Sequence, residues 1–204
     1  GELEYTIERN WNLQVHGVHD DISLAIMTAA LINIPSVDPC TVYLLPPEEF
    51  PKMKELFDEP RILGAYFPPA HSLGEKILFF TPLATTTVTH EFAHKRTNLL
   101  GDTFLAKWKA ANKNEYGTGY VRDDGSVYYW EDKTRGIRYG FAQPYGRKNI
   151  LEDIATLTEY VRHDFSKTNA PDKECADIIG KKLDLLKEYR FISAEEARET
   201  RNAL

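Results

Sequence analysis

The chain has 204 residues, 42% of them apolar and 27% charged, which is typical of a folded globular protein of one domain. Its formal net charge of −6 excludes the basic excess that nucleic-acid binding requires. No apolar run approaches the roughly 18 residues of a membrane-spanning helix, so we expect no membrane span.

The N-terminal stretch and the cysteines bear on the compartment. "GELEYTIERN" is acidic, has no signal-peptide pattern and opens on Gly rather than Met. We therefore expect a secreted or exported protein whose signal has been removed, with the cytoplasm as the alternative. We also expect a monomer. Cys40 and Cys175 match no metal-binding spacing, which favours buried free thiols over a disulfide.

The first half alternates helices and short strands. An apolar run with helical spacing follows Asp20 and Asp21, so a helix is capped there. "TVYLL" is rich in β-branched and aromatic residues and predicts a strand. "PPEEFPKMKELF" begins as helices do, although Pro51 makes its first turn irregular. "RILGAYF" and "KILFF" predict two short strands around the turn-rich "PPAHSLGE".

The second half is mostly helical. A helix containing "HEFAH" ends at Gly101, and "TFLAKWKAANK" predicts another. "YVRDDGSVYYWED" predicts a hairpin turning at Asp-Gly, and "GIRYGFAQPYGRKN" is irregular. Asn149 caps the helix "ILEDIATLTEYVRHD", and a polar helix ends the chain. The helix "ECADIIGKKLDLLKEY" is amphipathic, with one apolar side made of Ile178, Ile179, Leu183 and Leu186.

These elements predict one α+β domain over residues 1–204, with helices around a small mixed sheet. Residues 1–101 contain the sheet and end in the "HEFAH" helix. Residues 102–204 contain the hairpin and the remaining helices.

The "HEFAH" segment has the spacing of a metal site. His90 and His94 lie one helical turn apart and can direct two imidazoles at one ion. Glu91 is near enough to take a proton from a metal-activated water and pass it to a leaving amine. The alternative is a helix with two hydrogen-bonded core histidines, since Val88 and Phe92 supply an apolar side.

A third ligand is needed, and spacing leaves its identity open. Thr97 and Leu100 stand where the metzincin pattern requires Gly and a third His, so that class is excluded. Glu152 stands out because its helix follows the irregular segment, but Asn149 and Glu152 also have the spacing of a capping box. The other candidates are His16, His19, His71, Asp102, Glu131, Asp132, Asp153, Glu159 and His163.

"HEFAH" followed by "PYGRKNILEDIATLTEYV" resembles the gluzincin metallopeptidases, specifically the group with the anthrax lethal factor catalytic domain and the Pro-Pro endopeptidases. In that group a Tyr-Gly segment places its Tyr seven residues before a glutamate ligand, as Tyr145 stands before Glu152 here. The resemblance implies a zincin-like fold and one zinc ion held by His90, His94 and Glu152. It also implies Glu91 as general base and Tyr145 as donor to the oxyanion.

Two departures from that group limit what can be carried over. The hairpin between His94 and Glu152 looks like an insertion, so cleavage preference is not transferred. Ala155 and Thr156 stand where many gluzincins have an Asp that orients a histidine; Asp153 is a candidate for that role, with a partner elsewhere as the alternative. The rival oxyanion donors are Tyr139 and Tyr160, of which Tyr160 is better explained by packing.

The substrate we expect is a peptide or protein held extended along a sheet edge. In zincins this is generally a strand upstream of the active-site helix, which points to Gly64, Ala65 and Tyr66; a plain hairpin is the alternative. Tyr128, Tyr129 and Trp130 are candidates for the opposite wall or for a hairpin core. Arg135 and Arg138 are candidates for attracting an acidic group or for an ordinary solvated surface.

Together these features predict a zinc-dependent endopeptidase. The rivals are a zincin-like peptide-binding module without activity and a metal hydrolase of non-peptide amides or esters.

Overall fold

A computed structural model describes residues 1–17, 20–57, 62–117, 120–121, 127–128, 137–163 and 169–204, with backbone alone for 120–121 and 127–128. The chain divides into two compact units, Gly1–Lys95 and Arg96–Leu204. The boundary between them falls inside one helix. The organisation as a single domain stays a prediction. Among the described helices, none is both long and apolar enough to span a membrane.

The first unit is built on a four-stranded mixed sheet. Its order is β1-β2-β4-β3; β1, β2 and β4 are parallel, and β3 is antiparallel at one edge. The small mixed sheet with an antiparallel edge strand is therefore confirmed. The bounds are α1 (Glu2–Trp11), β1 (Gln14–Gly17), α2 (Asp21–Ile32), β2 (Thr41–Leu45), α3 (Phe50–Met53), β3 (Gly64–Phe67), β4 (Lys76–Phe80) and α4 (Thr85–Leu100), which continues into the second unit.

Helices α1, α2 and α4 cover one face of this sheet. Each fully buried Val, Leu, Ile or Phe here contributes roughly 1.5–3 kcal/mol. The other face carries Phe67 and Phe80, which pack with Phe50 and Phe57 from the α3 region. The main core includes Ile7, Leu24, Met27, Leu31, Val42, Leu44, Ile77, Phe79, Val88 and Phe92.

The second unit is mostly helical, as predicted. Strands β5 and β6 pair antiparallel, and the Asp-Gly turn between them lies outside the described residues. The bounds are α5 (Asp102–Ala111), β5 (Tyr120–Val121), β6 (Val127–Tyr128), a 3-10 turn (Pro144–Arg147), α6 (Ile150–His163), α7 (Lys173–Glu188) and α8 (Ala194–Asn202). The predicted apolar side of α7 is buried at all four positions.

A buried ion pair lies in the interior of the second unit. Asp153 and Lys182 are both 0% exposed, and Lys182 Nζ donates to Asp153 Oδ2 over 2.7 Å. Trp108 Nε1 and the Tyr116 hydroxyl donate to the same oxygen over 2.9 and 2.6 Å. Three donors on one carboxylate oxygen offset part of the cost of burying its charge. Burial still raises the pKa of Asp153 and lowers that of Lys182.

Three parts of the fold differ from the sequence prediction. Helix α1 and strand β1 were not predicted. Helix α1 is mostly polar, with three glutamates among its ten residues, and fully buries only Ile7; β1 has four residues, three of them exposed. The helix predicted after Pro46 forms as two 3-10 turns around the four-residue α3, since Pro51 removes a backbone donor there.

Candidate metal centre

Helix α4 presents different sides to the core and to the candidate site. Val88 and Phe92 are 0% and 3% exposed and belong to the core of the first unit. At 3.6 residues per turn, His90 and His94 project from nearly the opposite side, and Glu91 projects between the two sides. The apolar pair thus sets the rotation of the helix and directs both imidazoles away from the core.

The structure brings His90, Glu91 and His94 together. One ligand atom from each lies within 4.8 Å of the others. The two Nε2 atoms are 3.2 Å apart, with ring centroids at 4.8 Å and planes at 81°. Two ligands at 2.0–2.1 Å from one tetrahedral zinc ion lie about 3.3–3.4 Å apart, so the imidazoles are already spaced to share an ion. Imidazole nitrogens are also donors that suit zinc.

Edge strand β3 lies against the Glu91 side of the helix. A Cβ placed on Gly64 would stand 3.1 Å from Glu91 Cγ and 2.9 Å from Thr87 Cγ2. The side-chain position that Gly64 lacks therefore faces α4, where Glu91 is only 6% exposed. A substrate-binding role for Gly64, Ala65 and Tyr66 stays a prediction; the packing contact of Gly64 was not foreseen from sequence.

A second contact joins β3 to α4 through a carboxylate. The Tyr66 hydroxyl donates to Glu75 Oε2 over 2.7 Å, and Lys95 Nζ donates to Glu75 Oε1. Burial pushes the pKa of Glu75 up, but the hydrogen bonds from Lys95 and Tyr66 outweigh it and hold that pKa below its ordinary value. Burial, followed by the bond to Glu75, raises the pKa of Tyr66.

The predicted third ligand belongs to the second unit. Glu152 lies in the first turn of α6 and is 9% exposed. Its backbone N–H donates to Asn149 Oδ1 over 2.9 Å, so Asn149 caps the helix as predicted. This cap uses the backbone amide of Glu152, so it does not occupy the Glu152 carboxylate. The role of Glu152 as a zinc ligand stays a prediction.

Tyr145 lies in the 3-10 turn that precedes α6. It is half-buried, with Lys148 Nζ 5.4 Å from its ring centroid. A Cβ on the neighbouring Gly146 would stand 2.7 Å from Thr156 Oγ1 and 3.5 Å from Asp153 Cα. The turn carrying Tyr145 is thus packed directly on α6, and glycine permits that approach. Its role as oxyanion donor stays a prediction.

The other candidates in the second unit have described surroundings. Tyr160 is 7% exposed, which agrees with the packing role expected for it. Tyr139 is 43% exposed, with φ of 56° and the Arg147 guanidinium 5.0 Å from its ring centroid. The Arg138 guanidinium lies 5.9 Å from the same ring. The carboxylate of Asp153 accepts hydrogen bonds from Lys182, Trp108 and Tyr116, so its described partners are structural.

Of the remaining predicted residues, Asp102 is exposed at the start of α5, and Glu159 and His163 are half-buried in α6. The others divide into two sets. His16 stacks on Tyr43, and His71 stacks on Phe67 and accepts from the Leu73 amide through Nδ1. These described contacts give both histidines structural partners. Outside the described residues or side chains lie His19, Tyr128, Tyr129, Trp130, Glu131, Asp132 and Arg135.

Both cysteines are free thiols. Cys175 is buried and Cys40 is half-buried. Burial raises the pKa of Cys40 to about 12 and also raises that of Cys175.

No protein-family model matches the chain, and no curated protein matches its sequence. The fold is similar to that of a "putative zinc-binding metallo-peptidase" from Bacteroides caccae ATCC 43185, solved by crystallography. The match has a TM-score of 0.50 at 15% identity and covers 98% of this chain and 88% of that chain. At this identity the likeness establishes a shared fold, that of a mixed α+β chain.

Proposed function

We propose that this protein is a zinc-dependent endopeptidase of gluzincin type, related to the lethal-factor-like group. The single observation that carries the proposal is the His90–Glu91–His94 cluster, whose Nε2 atoms are 3.2 Å apart. The shared fold with a protein described as a "putative zinc-binding metallo-peptidase" supports it. In the part of the chain that the structure describes, β3 has a neighbouring strand on one side alone, which leaves an edge for an extended peptide to pair with.

His90 and His94 would hold the ion, and Glu152 would complete the set. A zinc ion held there would supply an acidic water molecule and a polarised carbonyl group. Glu91, one residue after the first histidine and largely buried, accepts the proton of the attacking water and returns it to the leaving amine. Tyr145 donates a hydrogen bond to the oxyanion.

The primary test is digestion of a diverse peptide library, read by mass spectrometry, by the wild type and by Glu91→Ala. We expect cleavages with the wild type alone. Glu91→Ala should retain zinc, since the two imidazoles remain. If neither protein cleaves while both bind zinc and capture peptides, the chain is a peptide-binding module. If amide or ester model compounds are hydrolysed but peptides are not, it is another metal hydrolase.

The ligand assignment has its own test. Zinc affinity is measured by competition with a chromophoric chelator for Glu152→Ala and, as control, for Glu174→Ala, which removes an exposed carboxylate of α7. Glu152→Ala should weaken binding by a factor of ten or more, roughly the loss of one ligand of three. Equal zinc affinity in both variants would show that Glu152 is not a ligand. Its described role would then be the backbone hydrogen bond to Asn149 at the start of α6.

A further inference from the structure

We propose that Glu75 is a positioning residue that fixes the edge strand β3 to the helix carrying the metal site. It does so by binding Tyr66 of β3 and Lys95 of α4 with its two carboxylate oxygens. The proposal rests on the function proposed above, because it concerns where a peptide paired to β3 would lie relative to Glu91.

Strand β3 needs such an anchor. It has four residues, pairs with β4 on one side, and its first three residues are only half-buried. A short edge strand held by one ladder is weakly fixed. Gly64 and Tyr66 point to the same face, toward α4, because side chains alternate along a strand. Gly64 supplies a packing contact there, and Tyr66 supplies a hydrogen bond.

Glu75 stands at the right place to receive that bond. It directly precedes β4, whose Ile77 is the register partner of Tyr66. Its side chain is 23% exposed, and that of Lys95 is 9% exposed. A lysine this buried requires a counter-charge, and hydrogen bonds between charged groups are about twice as strong as neutral ones. The pair is therefore a firm support for the Tyr66 hydroxyl.

The helix end of the connection lies within the motif. Lys95 directly follows His94 and stands one turn after Glu91 on the same side of α4. The Glu75 carboxylate thus links β3, which would pair with a peptide, to the turn of α4 that carries Glu91. A displacement of about 1 Å between a scissile bond and its catalytic group can reduce turnover about a hundredfold. Fixing β3 limits such displacement.

The test uses the full-length zinc-loaded chain and three variants. Glu75→Ala removes both bonds, and Tyr66→Phe removes the strand bond alone while keeping Lys95 paired. Glu49→Ala, which removes an exposed ion pair with Lys52, is the matched control. Hydrogen exchange by mass spectrometry is followed at residues 62–69 and 85–94, together with zinc affinity. KM and kcat are measured on a peptide that the wild type cleaves.

We expect exchange at 62–69 to become about tenfold faster in Glu75→Ala and several-fold faster in Tyr66→Phe. In Tyr66→Phe, which keeps Lys95 paired, exchange at 85–94 and zinc affinity should stay within about twofold. In both variants KM should rise about five- to tenfold, because the peptide pairs with a less ordered strand, and kcat should fall, because the scissile bond is displaced from Glu91. A purely structural role would reduce the active fraction and leave KM unchanged. Unchanged KM in both variants, or unchanged exchange at 62–69, overturns the proposal. If the wild type cleaves no peptide, the proposed function fails, and exchange alone decides whether Glu75 anchors β3.

Discussion

The contact of β3 with α4 makes Gly64→Ala an informative substitution. The added Cβ would stand 2.9 Å from Thr87 Cγ2, 3.1 Å from Glu91 Cγ and 3.1 Å from the Leu78 carbonyl oxygen. Carbon atoms in a packed interior do not approach to 2.9 Å, and a backbone carbonyl cannot rotate away. Strand β3, or the Thr87 and Glu91 side chains that face it, must therefore shift.

Two effects on stability oppose each other. Alanine restricts the unfolded chain, which stabilises the folded protein by about 0.4–1 kcal/mol. Overpacking by one methyl group costs about 1–3 kcal/mol. Since the new carbon meets three neighbours, one of them backbone, we expect the steric cost to win and the free energy of unfolding to fall by about 1–2 kcal/mol.

Urea unfolding followed by circular dichroism measures this loss. Thr87→Ser removes the Cγ2 atom, so the double variant Gly64→Ala with Thr87→Ser should recover part of the stability. The expected coupling between the two positions is about 0.5–1.5 kcal/mol. A Gly64→Ala protein as stable as the wild type, or a purely additive double variant, would refute the packing of Gly64 on α4.

Lys182→Met should lower the free energy of unfolding by about 3–5 kcal/mol, because Asp153 would keep a buried charge without its lysine; a loss below about 1 kcal/mol in urea unfolding contradicts this. Since burial raises the pKa of Cys40 to about 12 and that of Cys175 as well, neither thiol should react quickly with an aromatic disulfide reagent near pH 8 in the folded protein, and both should react in guanidinium. Glu75 has a pKa lowered below 4.5 by folding, so its contribution is present above that value and lost as pH falls through the folded value. In urea unfolding, the wild type should be more stable than Glu75→Gln near pH 6, and this difference should shrink below pH 4.5. A difference that grows in acid would contradict the lowered pKa of Glu75.

The helices were predictable where periodicity and a cap coincide. Asp20 accepts from the Ser23 amide at the start of α2, and Asn149 does the same for α6. Gly101 adopts a positive φ of 70° directly after α4. The His90 and His94 pair follows from helical spacing alone, because residues four apart share a side. These features are local, so a single sequence contains them.

Contacts between distant residues were not predictable. Lys95 and Glu75 are charged residues of the kind that normally lies on a solvated surface, yet the side chain of Lys95 is only 9% exposed. Lys182 likewise belongs to a helix with an amphipathic sequence, where a lysine normally faces solvent, and it is fully buried beside Asp153. Their partners depend on which strands and helices become neighbours, and no local rule specifies that. The contact of Gly64 with Glu91 belongs to the same class.

The buried pair of Asp153 and Lys182 also constrains how this sequence can change over evolutionary time. Loss of either residue alone leaves a buried charge, whereas replacing both by apolar residues of similar volume is often close to neutral. Accepted changes at these two positions should therefore occur together, in pairs, across related chains. A relative that keeps one of the two charges and has an apolar residue at the other would need a new counter-charge nearby, and its position would show how the interior was rebuilt.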